Sequence, residues 1–393
     1  MDKILNGIRV LDFTQFLSGP FCTMNLADFG AEVIKIERPG TGEVSRTFGP
    51  FVNGQSSYYT LVNRGKKSVT LDLKKGRALA LELIRKSDIL VENYTPGVME
   101  RLGLSYEEAK AVNPRIIYCS ISGFGQVSPY RNLRSYDVVA QGMAGLMDIT
   151  GYPDGLPARA GCSVGDLSAG MYAVSGILLA LFARERTGLG QHIDIAMLDT
   201  TFAFLETNVV RYTVGGVHPR RVGARHPISA PFDLYRCLDG FVIIAVASDP
   251  HFRALCRVIG RPELADDPRY DTDSHRSENA VSLKKILEDF LAGYTTDEAI
   301  ALLEKNGVPC GPLNSVEDAC RDPSIRQRGM LVELDQPGIG KVEVTGNPVK
   351  LSAAQTEPEQ AAPLLGGSNE EIYCGLLGSS AAQLARWKEE NVV

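Results

Sequence analysis

The chain has 393 residues, 44% hydrophobic and 22% charged, with a net charge of −6. That length exceeds what one hydrophobic core ordinarily organises and calls for about two domains of a globular protein. The acidic balance supplies no basic field for nucleic acid, although local basic clusters can still hold a small polyanion. In chain order, Arg9 to Phe13 reads as a strand, Pro20 to Phe29 as a helix closed near Gly30, and Glu32 to Ile36 as a second strand. Ser68 to Leu73 follows as a third strand, Lys75 to Lys86 as a helix, Asp88 to Val91 and Arg115 to Cys119 as further strands. This alternation predicts an α/β fold around a mostly parallel sheet.

A Gly/Pro-rich loop, Gly151 to Gly165, feeds an apolar-periodic helix expected over Leu167 to Arg184. Its most apolar part, Met171 to Phe182, is interrupted by Arg184, Glu185 and Arg186, too soon for a membrane span. No basic start leads into an apolar run, so no secretory signal is expected. Gln191 to Ala196 reads as a strand and Met197 to Arg211 as one helix. Gly215, Gly216, Pro219 and Pro227 then break the pattern. The expected domains are 1–210, completed by the C-terminal segment 326–393, a linker at 211–228, and a small α+β domain at 229–325. The small domain holds a hairpin over Tyr235 to Ala247 and helices near His251–Ile259, Ser282–Ala292 and Thr296–Asn306, the last capped at Thr295 or Thr296. Short strands return near Met330–Leu334 and Lys341–Val344.

Asp166 carries the main chemical expectation. It stands in Gly161-Cys162-Ser163-Val164-Gly165-Asp166, at a glycine turn ahead of the long helix. Two readings are open there. Asp is a favoured helix cap, and a carboxylate aimed by a helix start can also serve as a covalent nucleophile. Arg38, after the strand Glu32 to Ile36, is either a solvated surface cation or a group that stacks on a ring and donates to phosphate. Asn63-Arg64-Gly65-Lys66-Lys67-Ser68, with Lys74, Lys75 and Arg77, concentrates positive charge suited to phosphates or to a solubilising surface. Neither GxGxxG nor GxxxxGK[ST] occurs, nor a GxSxG nucleophile elbow. The five histidines form no metal pattern, so no metal is expected, and the eight cysteines form no CxxC pair, pointing to reduced thiols in the cytoplasm.

Taken together, Val10-Leu11-Asp12-Phe13, Gly19-Pro20, Asp28 through Gly40, Asn63 through Ser68, Val91-Glu92-Asn93-Tyr94, Pro96-Gly97, Asn113-Pro114-Arg115, Gly165-Asp166 and Arg186 through Gln191 resemble the class III coenzyme A transferases. That family includes the formyl-CoA and carnitine CoA-transferases and the α-methylacyl-CoA racemases. The resemblance covers most of the first 200 residues in order and beyond about 210 extends only to layout. It implies an interlocked homodimer whose Rossmann-like large domain is built from both chain ends. It implies Asp166 as catalytic aspartate, Arg38, Lys75, Arg101 and Arg134 as coenzyme A contacts, and Gln15 and Phe16 beside the thioester. Coenzyme A is then substrate, with no permanently bound cofactor. The partners implied are acyl-CoA and small carboxylic acids, and neither nucleic acid nor membrane. Asp166 would attack the donor thioester to give a mixed anhydride, and an acceptor acid would leave with the CoA.

The chain departs from the family's pattern at informative places. Ser135-Tyr136-Asp137 stands where the racemase branch has Gly-His-Asp. A tyrosine titrating at about 10 suits neutral proton abstraction less well than a histidine at about 6.5. This favours transfer over α-carbon racemisation, which remains the alternative beside a non-catalytic acyl-CoA-binding role. Leu17 stands where the formyl-CoA transferases carry glutamine, and Ala245 to Asp249 replaces their run of glycines, which disfavours oxalate or formate. Tyr136, Tyr58 and Tyr59 are candidate hydroxyls for the substrate pocket or packed aromatics. Arg220, Arg221 and Arg225 are candidates for a second carboxylate, or for surface salt bridges.

Overall fold

A computed structural model describes residues 3–393. The chain divides into two compact units, one of Met1–Leu146, Arg159–Val210 and Pro323–Val393, the other of Met147–Ala158 and Arg211–Asp322. The first is built on a six-stranded parallel sheet: β1 (Arg9–Asp12), β2 (Glu32–Glu37), β3 (Lys66–Thr70), β4 (Ile89–Glu92), β5 (Ile117–Ser122) and β6 (His192–Ala196). The strands lie side by side in the order β3-β2-β1-β4-β5-β6. β1 pairs parallel with β2 on one side (Val10 opposite Val33) and with β4 on the other (Val10 opposite Ile89). This is the doubly wound Rossmann order, in which the winding direction reverses between β1 and β4 and opens a crevice beyond their carboxyl ends.

The central strands β1 and β4 are apolar and buried because both faces of the sheet are covered there. On one face α1 (Ser18–Asp28) and the long α4 (Val164–Thr187) pack Cys22, Leu26, Ala173 and Ile177 against Val10, Val33 and Val91. On the other, α2 (Arg77–Arg85) and the chain end pack Leu83, Tyr373 and Leu384 against Leu11, Ile34 and Leu90. Two shorter helices complete the site layer, α3 (Asp137–Ala144) and α5 (Met197–Ala203). α1 and α4 cross closely because Gly170 has no side chain. A Cβ there would stand 2.7 Å from the Ser18 carbonyl oxygen and 2.9 Å from the Phe21 ring. Gly170→Ala therefore costs about 1–3 kcal/mol through overpacking, outweighing the gain of about 1 kcal/mol that alanine brings to a helix interior. A lowered midpoint in denaturant unfolding is the expected result; an unchanged or raised midpoint would show that the two helices separate freely.

Several boundaries differ from the sequence reading. The long helix begins at Val164, so Asp166 lies inside its first turn, and Ser163 occupies the cap position without a side-chain cap bond. The capping reading of Asp166 is thereby overturned. α4 is also long and apolar enough to cross a bilayer, contrary to expectation, because its apolar run starts well before Met171. It nevertheless packs on the sheet. The helix expected over Met197 to Arg211 is broken, α5 ending at Ala203 and a second segment running Thr207–Thr213, with Glu206 at φ 44° between them.

In the second unit, β7 (Phe232–Arg236), β8 (Phe241–Ala245) and β9 (Cys310–Pro312) form a three-stranded antiparallel sheet in the order β9-β8-β7. Asp239-Gly240 makes the hairpin turn, and Asp239 also accepts the Thr296 N–H at 2.8 Å. Helix Thr296–Lys305 is closed by a reciprocal cap between Thr295 and Glu298. Tyr235, Val242, Ile244, Phe252, Leu287 and Leu303 form this unit's core.

Candidate active site

A cavity of about 700 Å³ opens at the reversal between β1 and β4. Its floor is the β1–α1 loop, whose shape is fixed from below. Asp12, wholly buried, accepts the Thr14 N–H at 2.8 Å and the hydroxyls of Thr14 and Thr23 at 2.6 and 2.7 Å. The Lys66 ammonium donates to Asp12 at 2.9 Å, and that of Lys35 donates to the Thr14 carbonyl at 2.8 Å. Burial alone would raise the Asp12 carboxyl. Lys35 and Lys66, helped by the two hydroxyls, hold it instead down at about 2. Burial also lowers the Lys66 ammonium, to about 8, against the pull of Asp12.

Above this cluster, the Asn93 side chain clamps Gln15, accepting its N–H at 2.8 Å and donating to its carbonyl at 2.7 Å. Phe16 is held in the left-handed region, φ 63°, with its N–H directed at the Glu43 carboxylate 3.2 Å away. A bulky residue at positive φ is strained and persists only where its surroundings impose it. The turn delivers Ser18, the first residue of α1, to Asp166.

Asp166 is half-buried on the cavity wall. Burial pushes its carboxyl up to about 7 and the nearby Asp137 carboxylate adds to the rise, while the neighbouring Ser18 hydroxyl and N–H oppose it. Once ionised, the group is more basic than an ordinary aspartate. A carboxyl perturbed by burial and by a charged neighbour in a cleft marks a candidate functional site. Asp137 is itself buried and tied into the same helix start. Its Oδ1 accepts the Gly165 N–H at 2.8 Å, and its Oδ2 accepts from Gln141 at 2.8 Å and lies 3.6 Å from the Arg159 guanidinium. One wall is aromatic: the Phe16 ring meets Phe48 and Tyr136 edge-on at 6.0 and 5.8 Å, and Tyr58 lies 6.1 Å from Phe48. Burial and Asp166 push the Tyr58 hydroxyl up to about 12.

Of the residues singled out in the sequence, Asp166, Gln15, Phe16, Tyr136 and Arg134 line this cavity together, and Tyr58 joins them. Arg38, Lys75 and Arg101 are exposed and do not line it. Lys75 donates to the Glu390 carbonyl at 2.9 Å. Tyr59 is buried away from the cavity, hydrogen-bonded to Glu37 and Arg46. Arg220, Arg221 and Arg225 belong to the second unit, where Arg221 donates to the Asp148 carbonyl at 3.0 Å. Ser18, Asn93, Arg131 and Arg159 were missed. Asn93 stood in a quoted motif and Ser18 beside Gly19-Pro20, but the arginines had no local signal. Among the described residues, no group of three or more His, Cys, Asp or Glu side chains is placed to hold a metal ion.

Comparison with known proteins is consistent with this geometry. The model of CoA-transferase family III matches residues 5–369. The chain is 47% identical over 350 residues to the acetyl-CoA:oxalate CoA-transferase of Acetobacter aceti, covering 88% of this chain and 89% of that one. It is 39% identical over 373 residues to the mouse succinyl-CoA:glutarate CoA-transferase, covering 94% and 86%. Among solved structures, a CaiB/BaiF family protein from Brucella suis superposes with a TM-score of 0.85 at 38% identity, over 96% of this chain and all of that one.

Proposed function

From the premise that the chain belongs to CoA-transferase family III and is a CoA-transferase, we propose that Asp166 carries CoA between two carboxylic acids as a covalent nucleophile. The observation that carries this reading is a half-buried carboxyl on the wall of the crevice at the β1/β4 reversal, raised by burial and by its neighbour Asp137. An Asp166 oxygen attacks the donor thioester carbonyl, the C–S bond breaks, and an aspartyl mixed anhydride and CoA thiolate result. The thiolate attacks the aspartyl carbonyl of the anhydride, releasing the donor acid and leaving an aspartyl thioester. The acceptor carboxylate attacks that thioester and the thiolate leaves again; its attack on the acceptor carbonyl then yields the new acyl-CoA and frees Asp166. One thioester replaces another, so no external energy source enters. The Ser18 N–H and hydroxyl are placed to orient the attacking carboxylate.

Coenzyme A is a substrate in this scheme, with no bound cofactor. Arg38 follows β2, Lys75 follows β3, and Arg101 and Arg134 follow β4 and β5. All four lie in connections that follow the carboxyl ends of these strands, the side of the sheet on which ligands bind in such folds. A homodimer is part of the proposal, supported by the exposed Met171, Tyr172, Leu179 and Phe182 of α4 and Phe202 of α5, apolar surface that a second copy would cover. So is a cytoplasmic location, with the eight cysteines free. The relatives named above act on oxalate and on glutarate, which makes dicarboxylic acids the first acceptors to assay. Incubation with a panel of acyl-CoA donors and acids, read by mass spectrometry, tests the reading. New acceptor thioesters support it. Solvent deuterium entering the α-carbon without exchange would replace it with the racemase reading.

The pH dependence follows from the same carboxyl. The ionised form is the nucleophile, so kcat/KM is expected to rise through pH about 7 and level off above it. Asp137→Asn keeps an acceptor for the Gly165 N–H but removes a negative charge beside Asp166. Its profile is expected to shift toward lower pH. An unshifted midpoint would mean that Asp137 acts on structure alone.

A further inference from the structure

Arg159 is the residue that the cavity's electrostatics leave unexplained. The chemical end of the cavity is acidic, with Asp166 and Asp137 facing one another's charge. An acceptor carrying two carboxylates would meet repulsion there unless a cation received the one that does not react. Arg131 and Arg134 also line the cavity, but Arg159 is the cation that forms an ion pair with Asp137, its guanidinium 3.6 Å from Asp137 Oδ2. That distance is too long for a hydrogen bond. Asp137 meanwhile takes its short bonds from Gly165 and Gln141, at 2.8 Å each. The Arg159 fork is thus held nearby by charge without its donors being consumed. Its side chain is 49% exposed. The next residue fixes the backbone, the Ala160 N–H donating to Gln141 Oε1 at 2.9 Å. Gln141 in turn lies on α3 with Asp137, so one helix positions Arg159 and the carboxylate that restrains it.

We propose that Arg159 determines specificity by receiving the distal, non-reacting carboxylate of a short dicarboxylic acid bound beside Asp166. A planar guanidinium with spare N–H groups matches a carboxylate in two parallel bonds. The inference rests on the CoA-transfer reading and names its substrate class.

The test compares wild type, Arg159→Gln and Arg159→Lys with acetyl-CoA as donor. Oxalate, succinate and glutarate are assayed against acetate, butyrate and valerate, and direct binding of the same acids is measured by calorimetry. For Arg159→Gln, KM and Kd for the dicarboxylates are expected to rise about 10- to 100-fold, the scale of a lost charged hydrogen-bond pair. The monocarboxylates and the KM of acetyl-CoA should change little, and Arg159→Lys should recover part of the loss. An equal loss for mono- and dicarboxylates would overturn the proposal in favour of a structural role. A rise confined to acetyl-CoA would assign Arg159 to coenzyme A instead, and unchanged values would remove it from recognition. Should wild type exchange no CoA at all, the CoA-transfer reading fails separately. Dicarboxylate binding that still depends on Arg159 would then preserve the recognition claim, and binding indifferent to Arg159 would end it.

Discussion

Asp166→Asn is expected to lower CoA exchange by about 10⁴-fold or more, the scale on which removing a covalent nucleophile acts. Asparagine keeps the size of the side chain and an oxygen for the Ser18 donors, so fold and acyl-CoA affinity should survive. Steady-state exchange, with acyl-CoA binding measured in parallel, checks both. The variant isolates chemistry from position because the residue sits in the first turn of α4 without capping it. A loss of less than about tenfold would mean that the acids exchange CoA directly in the cavity, with Asp166 merely nearby.

The largest stability effect is expected at Asp12. Asp12→Asn should cost about 3–5 kcal/mol, because it leaves the buried Lys66 and Lys35 ammoniums without their anion. The pH dependence has a definite sign. In wild type, the Asp12 contribution is full above the ordinary carboxylate range and fades only as pH falls toward about 2. Lys66 already lies below its ordinary value, at about 8, and losing Asp12 lowers it further. The unfolded chain of the variant then binds more protons than the folded one, so its stability should rise with pH up to the ordinary lysine range. Urea unfolding at neutral pH and at pH about 9.5 measures this. Pairing the change with Lys66→Met should restore part of the loss, since the two residues share one network. A loss independent of pH would place the cost in packing instead of charge. Because Asp12 also holds Thr14, the variant should lose activity even where it remains folded.

How far the sequence revealed this arrangement depended on how local each signal was. β1, β2 and β4 were legible as short apolar runs, and β3 was placed two residues late because Lys66-Lys67 reads as a surface patch. It is in fact a strand whose Lys66 is buried against Asp12. The hairpin of Phe51–Val52 and Gln55–Ser56 is too short to leave a period. The break at Glu206 was hidden because apolar residues recur at helical spacing on both sides of it. The chain end gave no clear pattern, yet Tyr373 and Leu384 close one face of the sheet. Of the cavity-lining residues, Asp166 and Tyr136 were legible from motifs. Arg159 was not, since its meaning lies in a contact with Asp137 on another element, as does that of Gly165, whose partner is 28 positions away.

Trapping the covalent intermediate tests the central claim most directly. The protein is mixed with a donor acyl-CoA, quenched with hydroxylamine, digested and read by peptide mass spectrometry. The account predicts a hydroxamate at Asp166, dependent on acyl-CoA and missing from Asp166→Asn. Continued CoA exchange with Asp166 unmodified, or with the label on another residue, would contradict it.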